Sequence, residues 1–350
     1  MEKTAIKDLQ RGEYAGIDYF RPVAAFLVIT IHTSPFAGIN EEADFILTGI
    51  IARVAVPFFF MTSGFFLFSE LKDKRQSFYK FTVFIKKIAV IYGITILIYL
   101  PLNIYTGRVK TWVYLPCFLK DVVFDGTFYH LWYLPAAIIG AGIVYLLLKK
   151  LKAEQAFIIC LFLYILGLFG DSYYGIVEKI SFLKAFYKNL FVVFDYTRNG
   201  IFLAPIFFMM GAMIAKRTKK MSLITGLAGF ILSLSLMLVE GLLLYNFDLQ
   251  CHDSMYFMLL PCLFFLFRIL ILWEGKSLKY LRNLSMFVYL IHPAIIVAVR
   301  GYAKVTATQG SLIENSVIHF IAVATVSFAI AAALSMLFDA KRTLKDNYCG

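Results

Sequence analysis

The chain has 350 residues, of which 61% are hydrophobic and 17% aromatic, while only 16% carry a charge. Soluble domains average about 25% charged residues, so this composition excludes an ordinary soluble protein and indicates a polytopic protein of the lipid bilayer. The net charge of +12 does not indicate a nucleic-acid partner, because the lysines and arginines cluster in short loops between apolar segments.

About ten apolar segments follow one another, each near the ~20 residues that a membrane-spanning helix needs. They predict an all-α fold: one polytopic bundle of about ten transmembrane helices, forming a single domain over residues 1–350. The segment cores are 15–35, 45–68, 82–101, 130–148, 155–170, 198–215, 222–245, 254–273, 284–301 and 316–338.

The loops alternate in charge along the chain. Basic residues precede the first segment and follow the even-numbered ones, whereas residues 36–44 and 246–253 contain no Lys or Arg. Basic loops stay in the cytoplasm. Both termini are therefore predicted to be cytoplasmic, which agrees with an even number of spans.

One of the predicted outer segments, 171–197, has apolar residues at helical spacing beside three lysines. The apolar positions are Ile176, Ile180, Leu183, Phe186 and Leu190. This pattern predicts an amphipathic helix, either at the outer surface of the membrane or as a lid.

The first apolar segment carries three ionisable side chains, Asp18, Arg21 and His32. Arg21 and His32 are eleven residues apart, which at about 100° per residue places them within about 20° of one helix face. Ala25 and Val28 lie on the same stripe, and the two polar ends are about 16 Å apart along the axis. Asp18 lies one turn before Arg21 and can pair with it. Charges in a span are functional candidates, although a structural ion pair and a hydrogen-bonded core histidine remain alternatives.

Polar groups in other segments are candidates for substrate binding: Arg53, Ser63, Lys86, Lys87, His130, Arg198 and Glu240. Each also has a structural interpretation. Ser63 beside a glycine is typical of close helix packing, and Glu240 is expected to pair with Arg198 or Arg268. The two lysines can extend toward the water interface or contact a phosphorylated cofactor.

His292 precedes a proline in the middle of a predicted span, where the proline leaves a backbone carbonyl without its amide partner. His292 is positioned to satisfy that carbonyl. The five histidines lack metal-ligand spacing, so no metal site is predicted. Cys117 and Cys251 both fall in outer loops, and unpaired thiols are favoured over a disulfide between them.

Arg21, ten intervening residues and His32 resemble the R-X10-H signature of the acyltransferase-3 family of integral-membrane acyltransferases. Four further segments resemble the family in the same order, so the resemblance covers nearly the whole chain. They are VPFFFMTSGFFLF (56–68), HLWYLPA (130–136), FFMMGAMIA (207–215) and SMFVYLIHP (285–293).

The resemblance implies an enzyme that moves an acyl group, other than an aminoacyl group, from cytoplasmic acyl-coenzyme A to a hydroxyl or amine acceptor outside. It implies that His32 is the general base and that Arg21, beside Asp18, contacts the donor. The family often has arginines where this chain has Lys86 and Lys87, and lysine lacks the bidentate phosphate geometry of arginine.

Within the family, the segment GIDYFRPVAAFLVITIHTSPF is similar to the membrane part of the VanT-type serine racemases of vancomycin resistance. That resemblance implies a bacterial cell membrane, L-serine as the ligand, and a cytoplasmic racemase domain or partner. Arg21 or Arg53 would hold the serine carboxylate and Asp18 its amine. The chain stops before such a domain, which leaves a stand-alone relative and a truncated piece both open. A scaffold with structural polar residues is the third alternative.

Overall fold

The computed structural model describes residues 14–69, 74–216, 221–276 and 278–348. Within these ranges the chain forms helices and turns and contains no strand. The predicted all-α fold class is confirmed to this extent. The basic residues predicted before the first span (Lys3, Lys7 and Arg11) lie outside the described residues.

The longer helices are named here in chain order. They are α1 (Ala15–Thr33), α2 (Glu41–Leu67), α3 (Lys74–Tyr105), α4 (Tyr133–Lys150), α5 (Ala153–Phe169), α6 (Ser181–Val193), α7 (Ala204–Lys216), α8 (Leu223–Asn246), α9 (Leu259–Leu270), α10 (Lys279–Val305) and α11 (Ser316–Tyr348). Helix α2 includes a π-helical turn at Phe45–Ile50 and a 3-10 turn at Ile51–Val54.

Every predicted apolar core coincides with one of these helices. Six are long and apolar enough to cross a membrane by length and composition: α2, α3, α4, α8, α10 and α11. Helices α5, α7 and α9 are apolar but shorter, and α1 carries three ionisable side chains in 19 residues. The structure thus supports a multi-pass protein with six candidate spans, while the number ten and the side of the termini stay predictions.

The chain divides into two compact units. Unit 1 comprises Met1–Thr48, Met221–Leu232 and Pro261–Gly350, and unit 2 comprises Gly49–Lys220 and Ser233–Leu260. The single-domain organisation drawn from the sequence stays a prediction.

In unit 1, α10 packs against both α1 and α11 around an aliphatic core. That core includes Ala25, Ile29, Val288, Val323 and Ala331. The start of α1 also approaches backbone closely, because a Cβ on Gly16 would lie 2.3 Å from the carbonyl oxygen of Leu270. Only a glycine fits at that position.

In unit 2, α2 and α7 cross at two glycines. A Cβ on Gly64 would lie 2.1 Å from the Phe208 carbonyl oxygen, and one on Gly211 would lie 2.1 Å from that of Met61. Small residues let helix backbones approach closely in membranes. The packing interpretation of Ser63 and Gly64 is supported, and the Ser63 hydroxyl donates to the Phe59 carbonyl of its own helix at 2.8 Å.

The amphipathic helix predicted in the 171–197 segment exists as α6. Its buried residue is Tyr187, whose hydroxyl donates to the Leu166 carbonyl at 2.7 Å. Part of the predicted apolar face is left uncovered, with Ile180 48% and Phe186 43% exposed. An uncovered apolar face beside lysines is typical of a helix lying in the membrane interface.

Candidate functional site

The stripe predicted on α1 points into unit 1. Ala25 and Val28 are buried, while Arg21 and His32 are half-buried at the two ends of the stripe. The burial pattern confirms that these four side chains share the inward face, because residues at this spacing return to one side of a helix.

Asp18 is buried and accepts from more groups than the sequence predicts. The Arg21 Nε lies 3.4 Å from its Oδ1. Arg282 Nε donates to both carboxylate oxygens at 3.0 and 3.2 Å, and the Leu278 amide donates to Oδ2 at 2.9 Å. The predicted pair with Arg21 is therefore present, with a second arginine added. Because two arginines and an amide already engage this carboxylate, the geometry favours a positioning role over binding of a substrate amine.

At the other end of the stripe, the His32 ring stacks on that of His292 with 5.3 Å between centroids and 26° between planes. His292 Nδ1 lies 2.9 Å from the Tyr289 carbonyl oxygen and 3.0 Å from that of Val288. Both neighbours are acceptors, so Nδ1 carries the proton and the other ring nitrogen of the neutral imidazole is the acceptor. Pro293 removes the amide that would otherwise bond to Tyr289, so the predicted role of His292 is confirmed.

The remaining predicted residues lie in unit 2. Lys86 and Lys87 are exposed, and α3 begins at Lys74, so they lie about 18 Å inside the helix instead of at its start. His130 is buried before α4, with its ring 4.8 Å from that of Tyr99 and 5.8 Å from that of Phe128. From these positions, Lys86, Lys87 and His130 do not form one common site.

Among the residues that the structure describes, Glu240 has no arginine partner. Its Oε1 accepts from the Tyr173 hydroxyl at 2.7 Å and from the Phe257 amide at 2.6 Å, and its Oε2 accepts from the Met258 amide at 2.8 Å. The prediction of an arginine partner is wrong. The amides of the segment leading into α9 point at the carboxylate, and together with the hydroxyl they satisfy it without a counter-ion.

Arg53 and Arg198, by contrast, meet in one group of charges, which we call the mixed-charge cluster: Arg53, Asp171, Arg198, His252 and Asp253. Arg53 pairs with Asp253 at 2.5 Å. Arg198 interacts electrostatically with Arg53, Asp171 and Asp253.

Arg198 lies in the turn between α6 and α7, and its neighbours hold that turn rigidly. The Thr197 hydroxyl donates to the Gly167 carbonyl at 2.7 Å. The Asn199 side chain accepts from two amides of the turn and donates to a third backbone group. The Arg198 guanidinium lies over the ring of Tyr196 at 4.3 Å and that of Trp132 at 5.5 Å. Its Nε is buried and makes no hydrogen bond within the part of the chain that the structure describes.

Asp171 is completely buried just after the end of α5. Its Oδ1 accepts from the amides of Ser254 at 2.7 Å and Met255 at 3.0 Å and from the Ser172 hydroxyl at 3.0 Å. Its Oδ2 has no hydrogen-bond partner among the described residues. Burial raises the pKa of the Asp171 carboxyl to about 6, against the opposing effects of the Ser254 amide and Arg198.

His252 completes the cluster as a neutral group. Burial, with Arg198 acting in the same direction, lowers the pKa of His252 to about 4. Its ring lies 4.6 Å from that of Tyr196. Near neutral pH the cluster therefore contains two positive charges and two carboxylates.

Comparison of the whole sequence with protein-family models identifies the family of this chain. A family model described as "Acyltransferase domain" matches residues 14–336. The chain belongs to this acyltransferase family. The resemblance drawn from Arg21, His32 and the four further segments is thereby confirmed.

Two curated relatives bear on what this acyltransferase-family chain does. It is 47% identical over 337 residues to an "Amino-acid racemase" of Enterococcus faecalis, a match that covers 95% of this chain and 46% of the relative. It is 35% identical over 314 residues to a "Serine/alanine racemase" of Enterococcus gallinarum, with 88% of this chain and 44% of the relative covered. The chain spans about half the length of these relatives. No solved structure matches it.

The sequence reasoning on this family member missed Asp171, Asp253 and Ser254. The sequence does contain a signal, because each acidic residue lies at the end of an apolar segment in a chain that also carries Arg198 at such an end and Arg53 inside a segment. Single acidic residues at span ends are common, however, so only the folded chain identifies these two.

A second carboxylate group in unit 2 comprises Asp121, Asp125 and Asp195, whose oxygens lie within 4.8 Å of one another. The Lys120 ammonium bonds to Asp195 and lies 3.9 Å from Asp125 Oδ2. Arg108 Nε lies 3.1 Å from Asp121 Oδ2, so two basic side chains offset part of the charge of this group. The absence of a metal site stays a prediction. Cys117 and Cys251 are free thiols, as favoured above.

Proposed function

We propose that the chain is the membrane module of an amino-acid racemase system in the bacterial cytoplasmic membrane. In this proposal it binds a small L-amino acid, serine or alanine, and delivers it to a cytoplasmic racemase domain or partner. Two relatives named as racemases support the assignment, and the chain matches about half of each.

One observation carries the proposal. Unit 2 contains a half-buried arginine, Arg198, and a buried aspartate, Asp171, that each have a buried polar atom without a hydrogen bond in the described part of the chain. Leaving such atoms unpaired costs about 1–3 kcal/mol each. A free amino acid carries one carboxylate and one ammonium group and is therefore chemically matched to this site.

The proposed topology has ten helices crossing the membrane and both termini in the cytoplasm. The turn that carries Arg198 and the loop 246–258 then lie on the outer side. The amino acid would enter the cluster from outside, and the racemase would receive it on the cytoplasmic side.

A second candidate function is acyl transfer, which the stripe on α1 favours. His32 would act as general base on an external hydroxyl or amine acceptor, because the pKa of an imidazole suits that role near neutral pH. Arg21 would contact an acyl-coenzyme A donor. We rank this second because Arg21 already lies 3.4 Å from Asp18 and the relatives are named as racemases.

The test reconstitutes the purified full chain in proteoliposomes and measures uptake of radiolabelled L-serine and L-alanine, with L-leucine as the control solute. Saturable uptake of serine or alanine above leucine is expected. In parallel, acetyl-coenzyme A binding is measured by thermal shift on the wild type and on Arg21→Ala. Acetyl-coenzyme A binding that depends on Arg21, with no amino-acid uptake, would replace the proposal by acyl transfer. Absence of both would reject the two candidates together.

A further inference from the structure

Three buried polar atoms of unit 2 belong to the mixed-charge cluster or to Ser254 beside it. They are Arg198 Nε, Asp171 Oδ2 and Ser254 Oγ, and none has a hydrogen-bond partner within the described residues. Asp171 and Ser254 are in direct contact, since the Ser254 amide donates to Asp171 Oδ1 at 2.7 Å. Arg198 is coupled to Asp171 through its charge.

The chemistry of these atoms defines what would satisfy them. Arg198 Nε is a cationic donor that matches a carboxylate. Asp171 Oδ2 and Ser254 Oγ are acceptors, and an ammonium group offers three donors. The required ligand therefore carries a carboxylate and an ammonium close together, as an α-amino acid does.

The charge balance of the cluster points in the same direction. Arg53 and Arg198 contribute +2, and Asp171 and Asp253 contribute −2, so the net charge is zero. Burying an uncompensated charge is strongly unfavourable. A zwitterion leaves the balance at zero, whereas a carboxylic acid without an amine, or an amine without a carboxylate, would add one unpaired charge.

Arg53 and Asp253 are not assigned to the ligand, because they already form an ion pair with each other at 2.5 Å. The rings of Trp132 and Tyr196 hold the Arg198 guanidinium from its face, at 5.5 and 4.3 Å. Rings on the face of a guanidinium leave its edge available for hydrogen bonds to a ligand.

On the basis of the function proposed above, we propose that the mixed-charge cluster is a binding site for the zwitterionic backbone of a small L-amino acid. Arg198 binds the α-carboxylate, and Asp171 Oδ2 with Ser254 Oγ binds the α-ammonium. Both charged ends contribute to binding, so analogues that lack either end bind more weakly.

The first test uses the wild-type full chain in detergent and isothermal titration calorimetry. The ligands are L-serine, L-serinamide, which lacks the carboxylate, and N-acetyl-L-serine, which lacks the ammonium. We expect L-serine to bind and each analogue to bind roughly 10- to 100-fold more weakly, the effect of one lost hydrogen bond to a charged group. Analogues that bind as tightly as L-serine would overturn the site.

The second test uses Arg198→Lys, Asp171→Asn and Ser254→Ala. Arg198→Lys and Asp171→Asn should each weaken L-serine binding roughly 10-fold or more, and Ser254→Ala by less. Arg108→Lys and Asp195→Asn are matched controls, because these charges lie in unit 2 outside the cluster. They should leave affinity unchanged. Size-exclusion chromatography and thermal unfolding report whether each variant folds, and the analogue series remains decisive if one does not.

The outcomes distinguish failure of the proposed site from failure of the proposed function. If the wild type takes up serine but Arg198→Lys and Asp171→Asn retain its affinity, the site is wrong and the proposed function stands. If the wild type neither binds nor transports any small amino acid, the function itself is wrong. If water alone satisfies the cluster atoms, the first result is expected, because the variants would not affect a ligand bound elsewhere.

Discussion

His292 donates from Nδ1 to the carbonyl oxygen of Tyr289 at 2.9 Å, and this is the carbonyl that Pro293 deprives of its helical amide. A side chain thus replaces a missing backbone bond at the centre of α10. The same bond orients the His292 ring that stacks on His32. The proline position and the ring pair in unit 1 are consequently one structural feature.

We expect His292→Phe to destabilise the protein by about 1–3 kcal/mol, because a buried carbonyl loses its donor. In a Pro293→Ala background the backbone amide returns, so the same substitution should cost clearly less. Thermal unfolding in detergent of the four proteins of this double-mutant cycle measures the coupling. Equal costs in both backgrounds would contradict the assignment of the bond.

The glycine crossing of α2 and α7 predicts a large steric effect. Gly64→Ala or Gly211→Ala would place a Cβ 2.1 Å from a backbone carbonyl oxygen, which cannot rotate away. We expect a destabilisation of about 1–3 kcal/mol or more from overpacking. Gly142→Ala is the control, since its Cβ would meet nothing within 4 Å. That change should be neutral or stabilising, because alanine favours the helix. Comparable unfolding temperatures for all three variants would refute the close crossing.

Asp18→Asn should destabilise unit 1 by about 1–3 kcal/mol, because Arg21 and Arg282 would lose the buried carboxylate that they share. The matched control is Glu178→Gln, which removes a carboxylate from the exposed pair with Lys184 at 3.6 Å. Exposed pairs contribute about 0–1 kcal/mol. Unfolding temperatures of the two variants give the comparison. An Asp18→Asn protein as stable as the wild type would show that this carboxylate is available for another role.

Amino-acid binding should depend on pH through Asp171, whose pKa burial raises to about 6. Only the ionised carboxylate attracts an ammonium, so affinity for L-serine should fall as pH decreases through about 6. Two charged neighbours act on this carboxyl in opposite directions, since Arg198 lowers the pKa of Asp171 and Asp253 raises it. Burial lowers the pKa of the neighbouring His252 to about 4. Calorimetry between pH 5 and pH 8 covers the Asp171 pKa and should give an L-serine affinity that depends on pH in the wild type. In the Asp171→Asn protein the affinity should depend much less on pH.

The same shift has the opposite sign for stability. A carboxyl whose folded pKa is raised stabilises the fold most when it is neutral, below its unfolded value of about 3.9. That contribution is lost as pH rises through about 6. The Asp171→Asn protein should therefore lose less stability than the wild type between pH 4 and pH 7. A larger loss in the variant would contradict the burial of a charged Asp171.

Helical periodicity in the sequence determined several structural features of this protein. Helical spacing is a property of neighbouring residues, so the sequence alone predicts the inward stripe of α1, a helix at each apolar core and the carbonyl bond of His292. The signature of Arg21 and His32 also leads to the family, because it lies within one helix and needs no knowledge of the fold.

Only the tertiary structure decided which distant charges meet. Arg53 and Asp253 are 200 residues apart, Asp18 and Arg282 are 264 apart, and Asp171 and Ser254 are 83 apart. No spacing rule connects such positions. The partner of a buried charge is set by which helix ends and loops pack together, and backbone amides compete for it, as they do at Glu240. The sequence therefore determined which buried charges need a partner. The packing of the folded chain determined which group is that partner.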